Sequence, residues 1–316
     1  MRAPTARPAQ DPGPAEGPPP RPAPSPGARP APGPRAAARL RLAARLRLAA
    51  LLGPPLLWLT LAYLGSLAVL LVSAFWTTDS FTSDVVRTWT TDNLHELLTT
   101  PVYRTIALRT VSIAIAVTLI DAVLALPMAF FMARVAGRRW RRPLLVAVLT
   151  PLWAGYLVKA YAWRVMLGHD GVLNRTLAPL GLHGPGYGTT AVVVVLAYLW
   201  LPYMILPVYA ALERIPERTL EASADLGAGP WRTLRSIVLP AARPALLAGS
   251  VFTFSLSLGD YLTVQIVGGK TQLIGNVIAS QVTLDLPMAA ALSAVPVVLI
   301  VCYLAAVRRA GALDSL

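Results

Sequence analysis

Residues 213–243 read ERIPERTLEASADLGAGPWRTLRSIVLPAAR and lie between two apolar runs, about 189–212 and 244–266. Each run is close to the roughly 20 residues that cross a bilayer as a helix. A turn between two such helices needs far fewer residues than this, so the intervening segment has a role of its own. Its punctuation predicts two short helices. Pro216 suits a first helical turn, Glu217 and Glu221 favour the positive end of the helix dipole, and Gly227 is a natural stop after Leu226. The second helix is expected to begin at Gly229-Pro230, to run through Trp231, Leu234, Ile237 and Val238, and to end at Pro240. Leu220, Leu226, Trp231 and Leu234 would form an apolar ridge flanked by charges, as on a surface that docks on another protein. An amphipathic hairpin lying on lipid headgroups is the alternative.

Outward from this segment, four more apolar runs, at about 51–76, 109–133, 144–163 and 288–307, bring the expected membrane helices to six. The chain of 316 residues is 55% hydrophobic and 14% charged, with mean hydropathy +0.58. Soluble proteins carry about 25% charged residues, so the fold expected is an all-α polytopic membrane domain over 51–308. If the N-terminus is cytoplasmic, the inside segments 36–50, 134–143, 213–243 and 308–316 hold four, five, five and two basic residues. The outside segments 77–105, 164–188 and 267–287 hold two, two and one. Sixteen against five follows the positive-inside rule and places both termini in the cytoplasm.

The net charge of +13 is therefore an orientation signal and does not call for nucleic acid as a partner. Residues 1–35 hold 13 of the 29 prolines and read as disordered, and Arg39, Arg41, Arg45 and Arg47 form a basic flank that completes a tail over 1–50. The apolar run after this tail is too long for the core of a signal peptide, so it reads as an uncleaved first membrane helix. A short cytoplasmic C-terminus, 309–316, ends the chain. With Cys302 as the one cysteine and only His95, His169 and His183, neither a disulfide scaffold nor a metal site is expected. No cofactor is expected either.

The 213–243 segment also resembles a known family. Glu221-Ala222-Ser223, Gly227, Ile237 and Leu239-Pro240 match the E-A-A-x3-G-x9-I-x-L-P loop of ABC importer permeases at every spacing, with Ser223 in place of the second Ala. The resemblance implies a type I ABC importer transmembrane domain whose loop forms a coupling helix seated in a cleft of the ATPase subunit. It further implies two ATPase copies, a second homologous permease, an extracytoplasmic solute-binding protein, and localisation in the bacterial cell membrane, with no catalysis by this chain. On the residues, Ala222, Ser223 and Ala224 would leave one helix face open to a partner, Gly227 would allow a left-handed turn, and Leu239-Pro240 would set the exit into the fifth helix.

Looser likeness, through Asp92-Asn93-Leu94, Pro151-Leu152-Trp153, Leu157 to Trp163, and Leu258-Gly259-Asp260-Tyr261 to Gly269, is to the spermidine/putrescine branch, over about 50–308. Iron, sulfate and phosphonate permeases are close relatives of that branch and stand as alternatives.

Ionisable residues at membrane depth are site candidates by default. Asp121 and Asp260 are therefore expected on a translocation path, with Tyr261, Trp153 and Tyr156 offering faces for cation–π contact. The bland readings are a pairing of Asp121 with a polar neighbour or with the partner permease, and an interfacial belt for the aromatics. Lys159 is near an outer end and can snorkel. Gly268-Gly269-Lys270-Thr271 looks like the tail of a P-loop, but Val264 occupies the position of its first glycine. Two rivals remain at this point. An ion-coupled secondary transporter would show inverted repeats and several buried acids, and an intramembrane transferase or protease would show a catalytic His or Ser/His pair.

Overall fold

The computed structural model describes residues 50–79, 82, 84–182 and 184–309. Of the expected tail and C-terminus, only Ala50 and Arg309 fall among them. The chain divides into two compact units at Ala62/Tyr63. In the first unit the described residues, 50–62, are helical and expose Leu51, Leu57 and Trp58. Every element beyond residue 73 belongs to the second.

Among the described residues, five helices are long and apolar enough to cross a bilayer: α1 (Ala50–Ser73), α3 (Pro101–Val135), α7 (Thr189–Glu213), α9 (Pro230–Leu258) and α12 (Leu286–Arg309). Between them come α2 (Asp92–Thr99), α4 (Arg138–Trp153), α5 (Tyr156–Leu167), α6 (Val172–Leu177), α8 (Glu217–Asp225), α10 (Leu262–Val267) and α11 (Ile274–Gln281). One short antiparallel ladder pairs β1 (Thr77–Thr78) with β2 (Val85–Val86).

The core is the packing of α3, α7 and α9. On α3 the buried positions Ile113, Ala114, Val117, Thr118, Asp121, Ala125 and Ala129 recur every three or four residues and so form one stripe. That stripe is rich in alanine, and α9 meets α7 through Gly249. A Cβ added there would stand 2.6 Å from Met204 Sδ and 3.1 Å from Met204 Cα. Small residues let membrane helices approach to backbone distance, where dispersion and not the hydrophobic effect holds them. Leu196, Leu199, Met204, Ile205, Val208 and Leu212 of α7 are buried around this contact.

Three expectations are corrected. The third membrane segment, expected as one helix over 144–163, is two helices, α4 and α5, bent by 93° at Ala154-Gly155. Pro151 removes a backbone donor from the last turn of α4, and Gly155 has poor helix propensity. Both Ala154 and Gly155 are extended, with ψ of 135° and 137°. Pro127, Pro202, Pro207 and Pro296 sit inside unbroken helices, so proline alone does not break the chain.

The fifth segment, expected as continuous over 244–266, stops at Leu258. Gly259, Asp260 and Tyr261 interrupt it before α10.

The third correction is at Pro240, which ends nothing, because α9 runs through it from Pro230. Residues Leu234–Val238 form a π turn closed by Leu239 N–H donating to Leu234 O. In a regular helix the ring of Pro240 would press on the carbonyl four residues earlier, that of Ser236. The wider π turn holds this carbonyl differently and lets the helix pass. The exit direction into the fifth membrane helix is thus carried by the π turn and not by a stop at Leu239-Pro240.

Candidate functional site

The interruption at Gly259-Asp260-Tyr261 builds a polar centre at the end of a membrane helix. Asp260 is 8% exposed. Its Oδ1 accepts the Thr263 N–H at 2.9 Å, a capping bond across the start of α10. Its Oδ2 accepts the Thr263 hydroxyl at 3.1 Å and the Tyr156 hydroxyl at 2.5 Å. Tyr156 Oη and Thr263 Oγ1 are themselves 2.5 Å apart. Tyr156 reaches this point because the bend at Ala154-Gly155 redirects α5 across the bundle. Three donors hold the carboxylate in place, yet among the described residues no Lys, Arg or His forms an ion pair with it.

A cleft of about 330 Å³ opens beside this centre, lined by Asp260 and Tyr156 with Trp200, Ser255, Tyr261 and Leu262. Tyr156 stacks on Trp200 with centroids 6.1 Å apart, and the row continues to Tyr203 at 5.9 Å and Phe252 at 6.4 Å. The indole N–H of Trp200 is buried without a hydrogen-bond partner among the described residues. A fixed carboxylate with aromatic faces beside it has the makings of a site for an organic cation.

Of the expected path residues, the structure brings Asp260, Tyr156 and Tyr261 together. Trp153 is not with them, since it is 90% exposed at the corner where α4 ends. Asp121 is elsewhere again. It is fully buried in the α3 stripe, and both of its oxygens lack a hydrogen-bond partner among the described residues. One turn away, Thr253 of α9 donates to Thr118 of α3 at 3.4 Å, and Tyr303 of α12 donates to Ser250 at 2.7 Å. Asp121 thus lies along a seam of hydroxyls between membrane helices. Sequence reasoning missed Trp200 and Thr263. Thr263, three residues after Asp260, has the spacing of a cap, which was the available signal; Trp200 in the middle of an apolar run had none.

The second region is the hairpin of α8 and the start of α9. Gly227 has φ +74. Its N–H donates to Ala224 O at 2.8 Å and the Ala228 N–H to Ser223 O at 3.0 Å. These are the paired bonds of a Schellman ending, and they require the left-handed residue that glycine adopts without strain. Ser223 is buried, and its Oγ lies 3.0 Å from Thr233 Oγ1 of the second arm. The expectation that Ala222, Ser223 and Ala224 together leave one face open is corrected: Ser223 faces the other arm, and Ala222 and Ala224 are the exposed pair. The expected apolar ridge divides in the same way. Leu220 and Leu234 pack on the α3/α7 core, while Leu226 and Trp231 are 86% and 73% exposed. Glu221 is exposed, and Ile237 lines a cleft between the arms with Ser223 and Leu226.

Comparison with known proteins places these features in context. Residues 125–312 match the family model described as binding-protein-dependent transport system inner membrane component. The chain is 46% identical over 283 residues to the inner membrane ABC transporter permease protein YdcU of Escherichia coli strain K12, covering 84% of this chain and 90% of that one. To the spermidine/putrescine transport system permease protein PotB of the same organism it is 33% identical over 230 residues, 71% of this chain and 82% of the relative. Among solved structures, a bacterial ABC transporter involved in import of the acidic polysaccharide alginate superposes with a TM-score of 0.63 at 17% identity, over 85% of this chain and 99% of that one. The MetNI methionine ABC transporter in inward-facing conformations gives 0.52 at 19% identity, over 65% and 92%. These structures share the fold.

Proposed function

This chain belongs to the binding-protein-dependent transport system inner membrane components, and from that premise we propose that the solute it passes is a small organic cation of the polyamine class. It is a multi-pass permease subunit of an ABC importer in the bacterial inner membrane, a transport component and not a catalyst. The ion-coupled transporter and the intramembrane enzyme give way to that membership.

The observation that carries the polyamine reading is the Asp260 carboxylate, held by Tyr156 and Thr263, facing a cleft walled by Trp200 and Tyr261, with no cationic side chain bonded to it among the described residues. An ammonium group supplies the missing charge there, and the rings supply faces for its methylenes. The name of the relative PotB supports the same class. An anion such as sulfate or phosphonate would meet a carboxylate on entry, which disfavours those alternatives.

Asp121 serves as a second station. Thr118 and Thr253 stand level with each other, so three residues along α3 and seven back along α9 separate the two carboxylates by about 15 Å of helix rise. The path then runs from the Asp260 cleft along the hydroxyl seam to a sealed inner acid. Trp153 has no part in it.

Power comes from outside this chain. The reading takes both termini as cytoplasmic, as the sixteen-to-five charge count suggests, with the tail over 1–50 and the transporting domain over 51–308. The 213–243 hairpin, with Glu221, Ala222, Gly227, Leu226 and Trp231 outward, then docks on one of two ATPase subunits. A second homologous permease completes the path, and an extracytoplasmic binding protein delivers the solute. Because α9 passes through Pro240, one helix joins the docking arm at Pro230 to the break at Gly259. Closure of the ATPases displaces that helix as a body and changes the cleft at its far end.

The test is uptake into proteoliposomes holding the whole importer, with labelled putrescine and spermidine and the binding protein at saturation. Asp260→Asn is expected to lower uptake roughly 10- to 100-fold, the range for losing a charged hydrogen bond. Unchanged uptake by that variant, or transport of an anion and no polyamine, overturns the reading.

A further inference from the structure

The π turn Phe131–Val135 at the end of α3 holds one residue more than a helical turn, and the Ala136 N–H closes it on Phe131 O at 2.8 Å. The extra residue shifts the side chains of this last turn around the helix axis. It turns Arg134 toward the end of α7, where Nη2 donates to the carbonyl oxygens of Leu212 and Ile215 and, at 3.4 Å, of Glu213. These carbonyls are where α7 stops and the 213–243 hairpin begins. In a continuing helix Leu212 O would receive the N–H of residue 216, but residue 216 is Pro and has none. Leu212 O takes the Ile215 N–H at 3.3 Å instead, and the guanidinium adds a charged donor that places a positive charge on the negative end of the α7 dipole. Its flanking residues Met132 and Ala133 are buried against the core, so the contact is braced from the α3 side.

We propose that Arg134 is a positioning residue for transport: it ties the root of the coupling hairpin to α3, the helix that bears Asp121. The hairpin then acts along two routes. One runs lengthwise through α9 to the Asp260 break, and the other crosses through the guanidinium to α3. Docking of the hairpin on the ATPase is taken from the proposed function. Whether docking occurs is read separately, by co-purification of the ATPase subunits with the chain.

The experiment uses the complete importer in proteoliposomes and measures ATP hydrolysed per solute taken up. Arg134→Gln is expected to leave ATPase co-purification at the wild-type level and to raise that ratio by about five-fold or more, the range of ordinary coupling free energies. Arg134→Lys, which keeps the charge but ends in a compact ammonium where the planar guanidinium stood, is expected to fall between. A cap and a coupling strut are told apart by the double variant Arg134→Gln/Pro216→Ala, in which residue 216 regains a backbone donor at the start of the hairpin. If the double variant keeps the raised ratio while its thermal stability returns to that of wild type, Arg134 couples. A wild-type ratio in Arg134→Gln or in the double variant overturns the proposal and leaves Arg134 a helix cap. Should Arg134→Gln fail to assemble, the Arg134→Lys ratio decides, and a wild-type value there overturns it equally. Loss of ATPase co-purification in hairpin variants but not in these bears on docking alone.

Discussion

The hairpin at one end of α9 and the Asp260 cleft at the other are held together in opposite ways. The bonds that join and close the hairpin's two arms are local: Gly227 to Ala224, Ala228 to Ser223, and Ser223 to Thr233 ten residues on, with Arg134 reaching only its root. The cleft is made by distant parts, with Tyr156 reaching Asp260 across 104 positions. The hairpin turns apolar side chains outward, Leu226 and Trp231, while the cleft turns a carboxylate inward. Local bonding suits an element that must keep its shape while being pushed. Distant bonding suits one whose shape changes when the helices around it move.

Four substitutions sharpen or break that contrast, the largest effect first. Gly227→Leu places a side chain at φ +74, a cost of about 1–2 kcal/mol, and swings the second arm off its docking direction. Uptake and solute-stimulated ATPase activity are expected to fall to background at normal expression; retained transport would remove the hairpin from the mechanism. Asp260→Asn comes next, with its roughly 10- to 100-fold loss of uptake. For Tyr156→Phe, which removes one hydrogen bond to the Asp260 carboxylate, worth about 1.5 kcal/mol at the low end for a charged acceptor, roughly ten-fold slower uptake is expected with ATPase coupling intact. A change confined to the coupling ratio would mean that the cleft is not a solute site. Ser223→Ala removes only the bond between the two arms. Uptake should change less than about two-fold, while hydrogen exchange at the Gly227 and Ala228 amides speeds up. If exchange is unaltered, the arms are held by packing and not by the hydroxyls.

The same contrast explains what is legible in the sequence. Gly227 and the Leu239-Pro240 spacing are near-neighbour features, and family and fold follow from them with no knowledge of tertiary contacts. Pro240 reads wrongly as a stop because a π turn has no composition signal; Leu234 to Val238 look like any apolar turn. The break in the third segment is hidden for a similar reason. Pro151 resembles Pro202 and Pro207, which break nothing, and only the company of Gly155 and the pull of Asp260 on Tyr156 distinguish it. At the cleft, Asp260 stands out as a charge at membrane depth. Trp200 does not, since a tryptophan in an apolar run reads as packing until a ring and an acid are found beside it. Ser223 reads as an interchangeable small residue, yet it carries a hydrogen bond that alanine could not.

Gly249 has a consequence for how the molecule can deform. With Met204 Cα 3.1 Å from where a side chain would start, α7 and α9 lie against each other with no gap in which to slide. Mechanically the two helices are one beam. On the proposed docking of the hairpin, a thrust at Pro230 is not absorbed by slippage between them and reaches the far end of α9 at Gly259. The wall of the cleft that must yield is then the other one, the short helix α5, hung from its neighbour by the two extended residues Ala154 and Gly155.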